Sequence, residues 1–225
     1  MLDPATSRRW YRGAVMLCDR AYRLLWGLDR PASRVGPALC VKLERTRRNV
    51  TLPDGERICR GDRIGVLHLD NARVADVHLH GLPPLAVGLE FRRWLAASLH
   101  ELARLAAAPG PYAGVRAFTA ITIFHRGLAA RFGFQLERGG VIFPGLVGAY
   151  QRALLRSLHP AGALRIRGES HRGARRLWLT REALLARYSA SGPSSWAAAP
   201  PRANRAGSKS ERSRDGAPSR THSAT

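Results

Sequence analysis

Two periods of apolar residues interleave along this chain. From Trp10 to Leu28 the period is helical: Trp10, Ala14, Leu17, Cys18, Ala21, Leu25 and Leu28 fall on one side, and Arg9, Arg12, Arg20 and Arg23 on the other. The pattern predicts an amphipathic helix whose apolar arc packs on a core. A helix lying in a membrane surface, which also favours Trp and Arg, is the alternative. The period then drops to two. Leu39–Glu44 alternates, Asp54-Gly55 supplies a hairpin turn, and Gly61-Asp62 precedes a strand over Arg63–Asp70. On that strand Ile64, Val66, His68 and Asp70 share one face, and Gly65, Leu67 and Leu69 the other.

Helical spacing returns over Leu85–Ala107. Phe91, Leu95, Leu99, Leu102 and Leu105 or Ala106 form a stripe, while Glu90, Arg93, Ala97, Glu101 and Arg104 lie away from it. Pro83-Pro84 and Pro109-Gly110-Pro111 bound this helix. Val115–Phe124 reads as a buried strand. His125–Gly133 reads as a short helix capped by Gly133, followed by a strand at Phe134–Glu137. Pro144–Leu158 is helical with Pro at its start. Leu164–Gly168 and Arg175–Leu179 are strands, and Thr180 is the N-cap of a last helix with Glu182 in its first turn. Strands and helices so interleaved predict an α/β or α+β fold, a single compact domain over residues 1–188.

From Ser189 onward the chain turns to Ser, Ala, Pro, Gly and Arg, with Trp196 its one aromatic residue. Such a segment buries too little apolar surface to offset its chain entropy, so residues 189–225 are expected to be a disordered basic tail. The tail has six basic and two acidic residues, so most of the formal charge of +21 belongs to residues 1–188. Lys42 and Lys209 are the only lysines, and arginine makes up the rest of the 37 basic residues. A GC-rich genome favours arginine over lysine but does not explain the shortage of acids. A field of this sign attracts an anionic ligand: a glycan phosphate, an anionic lipid surface or nucleic acid. No apolar run approaches the roughly 18 residues that span a bilayer. Asp19, Arg20 and Arg23 interrupt the only segment resembling a signal sequence, so the expected location is cytoplasmic, with peripheral association at the membrane. Cys18, Cys40 and Cys59 fit no zinc spacing, and their odd number argues against a disulfide framework.

Candidate chemistry concentrates between Gly65 and Gly81. His78 and His80, two apart on a strand, face one way and could reach one metal, as in the D-x-H-x-H-G opening of amidohydrolase-type enzymes. Those enzymes need a barrel of roughly 250 residues with later ligands from separate strands. Too little chain follows here, so no metal and no cofactor is expected. His68 with Asp70 is the better pair: the carboxylate could orient the imidazole or raise its pKa, making a general base. Asn71 suits a turn position that needs left-handed backbone. The catalytic candidates are therefore His68, Asp70 and His125, and the ligand-binding candidates His68, Asn71 and the solvent-facing Arg93. No G-x-S-x-G, Walker loop or G-x-G-x-x-G after a strand is present. Leu128–Glu137 has the helix-to-strand step of N-acetyltransferases but lacks their acetyl-CoA loop. Zinc-finger, ribonucleoprotein and helix-turn-helix motifs are absent as well.

One block is distinctive. Gly61–Asn71, GDRIGVLHLDN, resembles the G-D-x-[I/V]-x-x-L-H-[L/I]-D-N signature of the YkoP-like domain family of bacteria. The helix ending LLWGLDR (Leu24–Arg30), the step from Thr119 through His125 and Ala129 to Arg131-Phe132-Gly133-Phe134, and the closing RRLWLTREALLARY are similar to it too. The resemblance covers Trp10 to Tyr188. It implies a stand-alone form of a domain that also occurs fused behind polysaccharide deacetylase domains, and hence a part in cell-envelope glycan metabolism as an accessory or ligand-binding protein. The alternatives from other classes are a sequence-nonspecific nucleic-acid binder and an enzyme using His68 with Asp70.

Overall fold

The computed structural model describes residues 4–71, 73, 83–138, 143–158 and 173–189. Alternation in Leu39–Arg45 (β2) and Arg63–Leu69 (β5) produces a long antiparallel ladder, in register from Leu39 opposite Leu69 to Arg45 opposite Arg63. The short β1 (Arg34–Val35) edges β2. Between β2 and β5, Val50–Thr51 (β3) and Arg57–Ile58 (β4) form a separate hairpin around Gly55, whose φ is 90°. Helix α2 (Pro84–Ala107) then crosses over to β6 (Ala117–Thr122), which runs parallel to β5. Helix α3 (His125–Phe132) ends on Gly133 in the left-handed conformation, as its sequence predicts. After β7 (Gln135–Leu136) come α4 (Pro144–Leu158), β8 (Arg175–Thr180) and α5 (Arg181–Tyr188). The six-stranded mixed sheet has the order β1-β2-β5-β6-β8-β7. Thr180 caps α5 by accepting a hydrogen bond from the Ala183 N–H. The fold is a single domain of mixed helices and strands.

One sheet face carries the main core. Val41, Leu67, Phe118, Leu177 and Leu179 meet Leu95, Leu99, Leu102 and Ala106 of α2 and Leu184 of α5. The stripe predicted for α2 is the stripe it buries. Two glycines permit close approach. A Cβ on Gly65 would lie 2.5 Å from the Phe118 ring. One on Gly36, whose φ is 63°, would lie 2.6 Å from Ser98 Cα, and Ser98 Oγ here accepts the Ala38 N–H. The other face is covered partly by the hairpin, through Val50, Leu52 and Ile58 on Ile64, Ala117 and Trp178. Helix α1 (Pro4–Leu25), paired with α4 through Val15 and Leu154, lies beyond.

Helix α1 overturns its expectation. The arc expected in the core is outside: Trp10 is 73% exposed, Leu17 69% and Leu25 86%. Val15, Asp19 and Arg23 are buried instead. Of the residues assigned to the arc, Leu28 is buried, and it lies past the helix end. The reason is local. Charged groups are buried only when paired, and the sheet end facing α1 supplies partners for both Asp19 and Arg23, as described next. Asn71 is a second correction. It opens a helical turn rather than occupying left-handed backbone; among the described residues the only non-glycine with positive φ is Phe143. The strand Leu164–Gly168 lies outside the described residues, as does the tail beyond Ser189.

Candidate functional site

Alternation along β5 sends Leu67 into the main core and His68 to the face that α1 covers. There the imidazole lies under Tyr22 of α1, ring centroids 5.8 Å apart. Its Nε2 is buried and has no hydrogen-bond partner among the described residues. Burial pushes its pKa from 6.5 down to about 4; nearby Glu44 acts upward and Lys42 downward. His68 is thus neutral at neutral pH, able to offer or accept one hydrogen bond that no described residue makes. Cys40 is its cross-strand neighbour, and burial pushes that thiol up, away from the nucleophilic thiolate.

Asp70 follows on the same face but does not orient the imidazole. Its carboxylate accepts from Arg23 Nη1 at 2.6 Å, has Arg34 Nε 4.0 Å away, and caps the helical turn by accepting the Arg73 N–H at 3.4 Å. Arg23 reaches Asp29 as well, Nε to Oδ1 at 2.8 Å. Burial opposes the Arg23 charge, and its bonds to Asp70 and Asp29 outweigh that and push its pKa above the ordinary value. The rise in the His68 pKa expected from Asp70 is therefore replaced by a fall from burial. One residue on, Asn71 Nδ2 donates to Asp19 Oδ1 at 2.7 Å, and the Tyr150 hydroxyl of α4 donates to the same oxygen at 2.9 Å. Burial, then the Asp19 carboxylate, raises the Tyr150 pKa. A polar layer of Asp19, Arg23, Asp70, Asn71 and Tyr150 thus joins α1, α4 and the end of β5.

The sheet is interrupted beside this layer. β5 and β6 pair only from Ile64–Val66 to Ala117–Thr119, and Leu67–Leu69 and Ala120–Thr122 run on without pairing to each other. The Gln151 side chain of α4 bonds to β6 as a neighbouring strand would, donating to the Ile121 carbonyl at 2.7 Å and accepting the Ile123 N–H at 2.8 Å. The carboxyl ends of parallel strands, where a sheet's connections change sense, are where open α/β sheets take ligands. His68 lies at that end of β5, and His125 follows β6 at the same end.

The other candidates lie elsewhere. Arg93 is exposed on α2, on the far side of the sheet, with Glu90 Oε2 3.5 Å away. His78 and His80 lie outside the described residues. No group of three or more His, Cys, Asp or Glu positioned for a metal occurs among the described residues. A concavity of about 270 Å³ lined by Leu43, Glu44, Arg45 and Arg63 sits at the opposite end of the β2–β5 ladder, without any of the candidate residues. Asp19, Tyr22, Arg23 and Tyr150 escaped the sequence reading. A signal for two of them exists: Asp19 is the only acid in α1, and Val15, Asp19 and Arg23 recur every four residues opposite Trp10.

A family model described as YkoP domain matches residues 8–188 of this chain. No curated protein and no solved structure matches it.

Proposed function

Because the chain belongs to the YkoP domain family, we propose that it is an accessory, ligand-binding domain of cell-envelope polysaccharide metabolism, taking an anionic glycan phosphate beside His68 and Asn71. The unmade hydrogen bond of the buried His68 Nε2 carries the reading. A buried polar atom without a partner is costly in a fold that gains nothing from it. A neutral imidazole suits a sugar hydroxyl or phosphate oxygen. The formal charge of +21 concentrates such anions near the surface. The resemblance to domains fused behind polysaccharide deacetylases supplies the metabolic setting.

Base catalysis by His68 with Asp70 is the weaker reading, since Asp70 is engaged by Arg23 and burial leaves the imidazole a poor proton acceptor. Entry displaces the Tyr22 ring that covers His68. Isothermal titration with N-acetylglucosamine 1-phosphate, and with N-acetylglucosamine as the uncharged control, tests the reading. The phosphate binds and the neutral sugar binds more weakly. His68→Gln weakens binding by about tenfold, the equivalent of one lost hydrogen bond. Equal binding by wild type and His68→Gln, or no heat from either ligand at millimolar concentration, removes the site.

A further inference from the structure

Helix α1 turns its apolar side away from the domain. Trp10, Leu17, Leu24 and Leu25 are 73%, 69%, 62% and 86% exposed, and Ala14, Cys18 and Ala21 complete the same arc. The opposite side is fastened to the sheet by Arg23 and Asp19. Helix α4, set antiparallel to α1 by Val15 against Leu154 and Asp19 against Tyr150, carries exposed apolar residues of its own, Leu146 and the preceding Phe143, 71% and 73% exposed. A row of exposed apolar residues along one side of a helix marks an interaction site rather than chance exposure.

We propose that this face docks on an anionic lipid membrane, with α1 lying in the headgroup plane and Trp10, Leu17, Leu24 and Leu25 turned to the acyl chains. Charge selects this occupant. Apart from Arg23, which is buried and paired with Asp70 and Asp29, the sequence of α1 holds four arginines and that of α4 two, while the only acid of the pair, Asp19, is buried and bonded to Asn71 and Tyr150. A second copy of a chain with formal charge +21 would meet its own field, whereas acidic headgroups meet an opposite one. Trp10 and Trp26 belong to the residue type that prefers the lipid interface. Among the described residues no helix is long and apolar enough to cross a membrane. This points to a helix on the surface, not through it.

The inference does not depend on the glycan reading. The full chain is sedimented with vesicles of phosphatidylcholine, with and without phosphatidylglycerol. It is retained on the anionic vesicles and much less on the neutral ones, with retention falling as salt rises. The double variant Leu17→Glu, Leu24→Glu lowers the partition coefficient by at least about tenfold, through lost apolar burial and added repulsion. Its circular dichroism and melting temperature stay those of the wild type, because both side chains are mostly exposed. Three results overturn the proposal: no retention of the wild type; undiminished retention of the variant, which means that arginines elsewhere carry the binding; and a wild-type dimer that the variant dissolves, which makes the face a self-interface. N-acetylglucosamine 1-phosphate titration of the same variant stays unchanged, so failure here and failure of the ligand site are read separately.

Discussion

Protonating His68 inside the fold places a charge under Tyr22 with no acceptor for Nε2 among the described residues. Its folded pKa, about 4, lies below the unfolded 6.5, so the unfolded chain takes up the proton first. The stability held by the neutral imidazole is full above pH 6.5 and drains away as pH falls towards 4. The shift is equivalent to roughly 3 kcal/mol. Urea unfolding at pH 7 and pH 4.5 should show a loss of this order beyond that of a His68→Leu variant; parallel curves for the two proteins would place the imidazole in water. The face on which His68 stands was legible from alternation in Arg63–Asp70. Its environment was not, because Tyr22 approaches from another element. Asn71 shows the same limit. Asn is common at left-handed turn positions, yet Asp70 caps a helical turn here and Asn71 turns its amide to Asp19.

At the scale of elements, α1 rests on ion pairing where α2 rests on apolar packing. The α2 stripe was legible because its buried apolar residues recur at helical spacing, with Glu90, Arg93, Glu101 and Arg104 away from them. Helix α1 offers two sides that can be buried, and periodicity favours the apolar one. The choice falls the other way because Asp70 and Asn71, 47 and 52 residues away, meet Arg23 and Asp19. That information lies in tertiary contacts rather than in the helix. Arg23→Leu tests the arrangement. It leaves the buried Asp70 with Arg34, at 4.0 Å and half exposed, as its remaining cation among the described residues. A loss of about 3 kcal/mol is expected, the typical cost of stranding one member of a buried pair. A loss under about 1 kcal/mol in urea unfolding would mean that α1 is held by something other than this pair.

Over the whole molecule, the mixed class of the fold was legible from interleaved periods, and the family from the Gly61–Asn71 block, which the match over residues 8–188 bears out. The strand order was not, nor the point where β5 and β6 part, since both depend on which strands find each other across the chain. The separation leaves His68 at the carboxyl end of a parallel pair, beneath a helix that faces outward with apolar residues. The two proposals together put a ligand site beneath a membrane-docking helix. Nitrogen-15 NMR of the imidazole ring in full-length protein examines its core. In the free protein the His68 ring should stay neutral down to a midpoint near pH 4, and at pH 7 its Nε2 signal should move as N-acetylglucosamine 1-phosphate is added. A His68 ring that titrates near 6.5 and does not respond to the sugar phosphate would contradict both the shielded, unpartnered Nε2 and the site built on it.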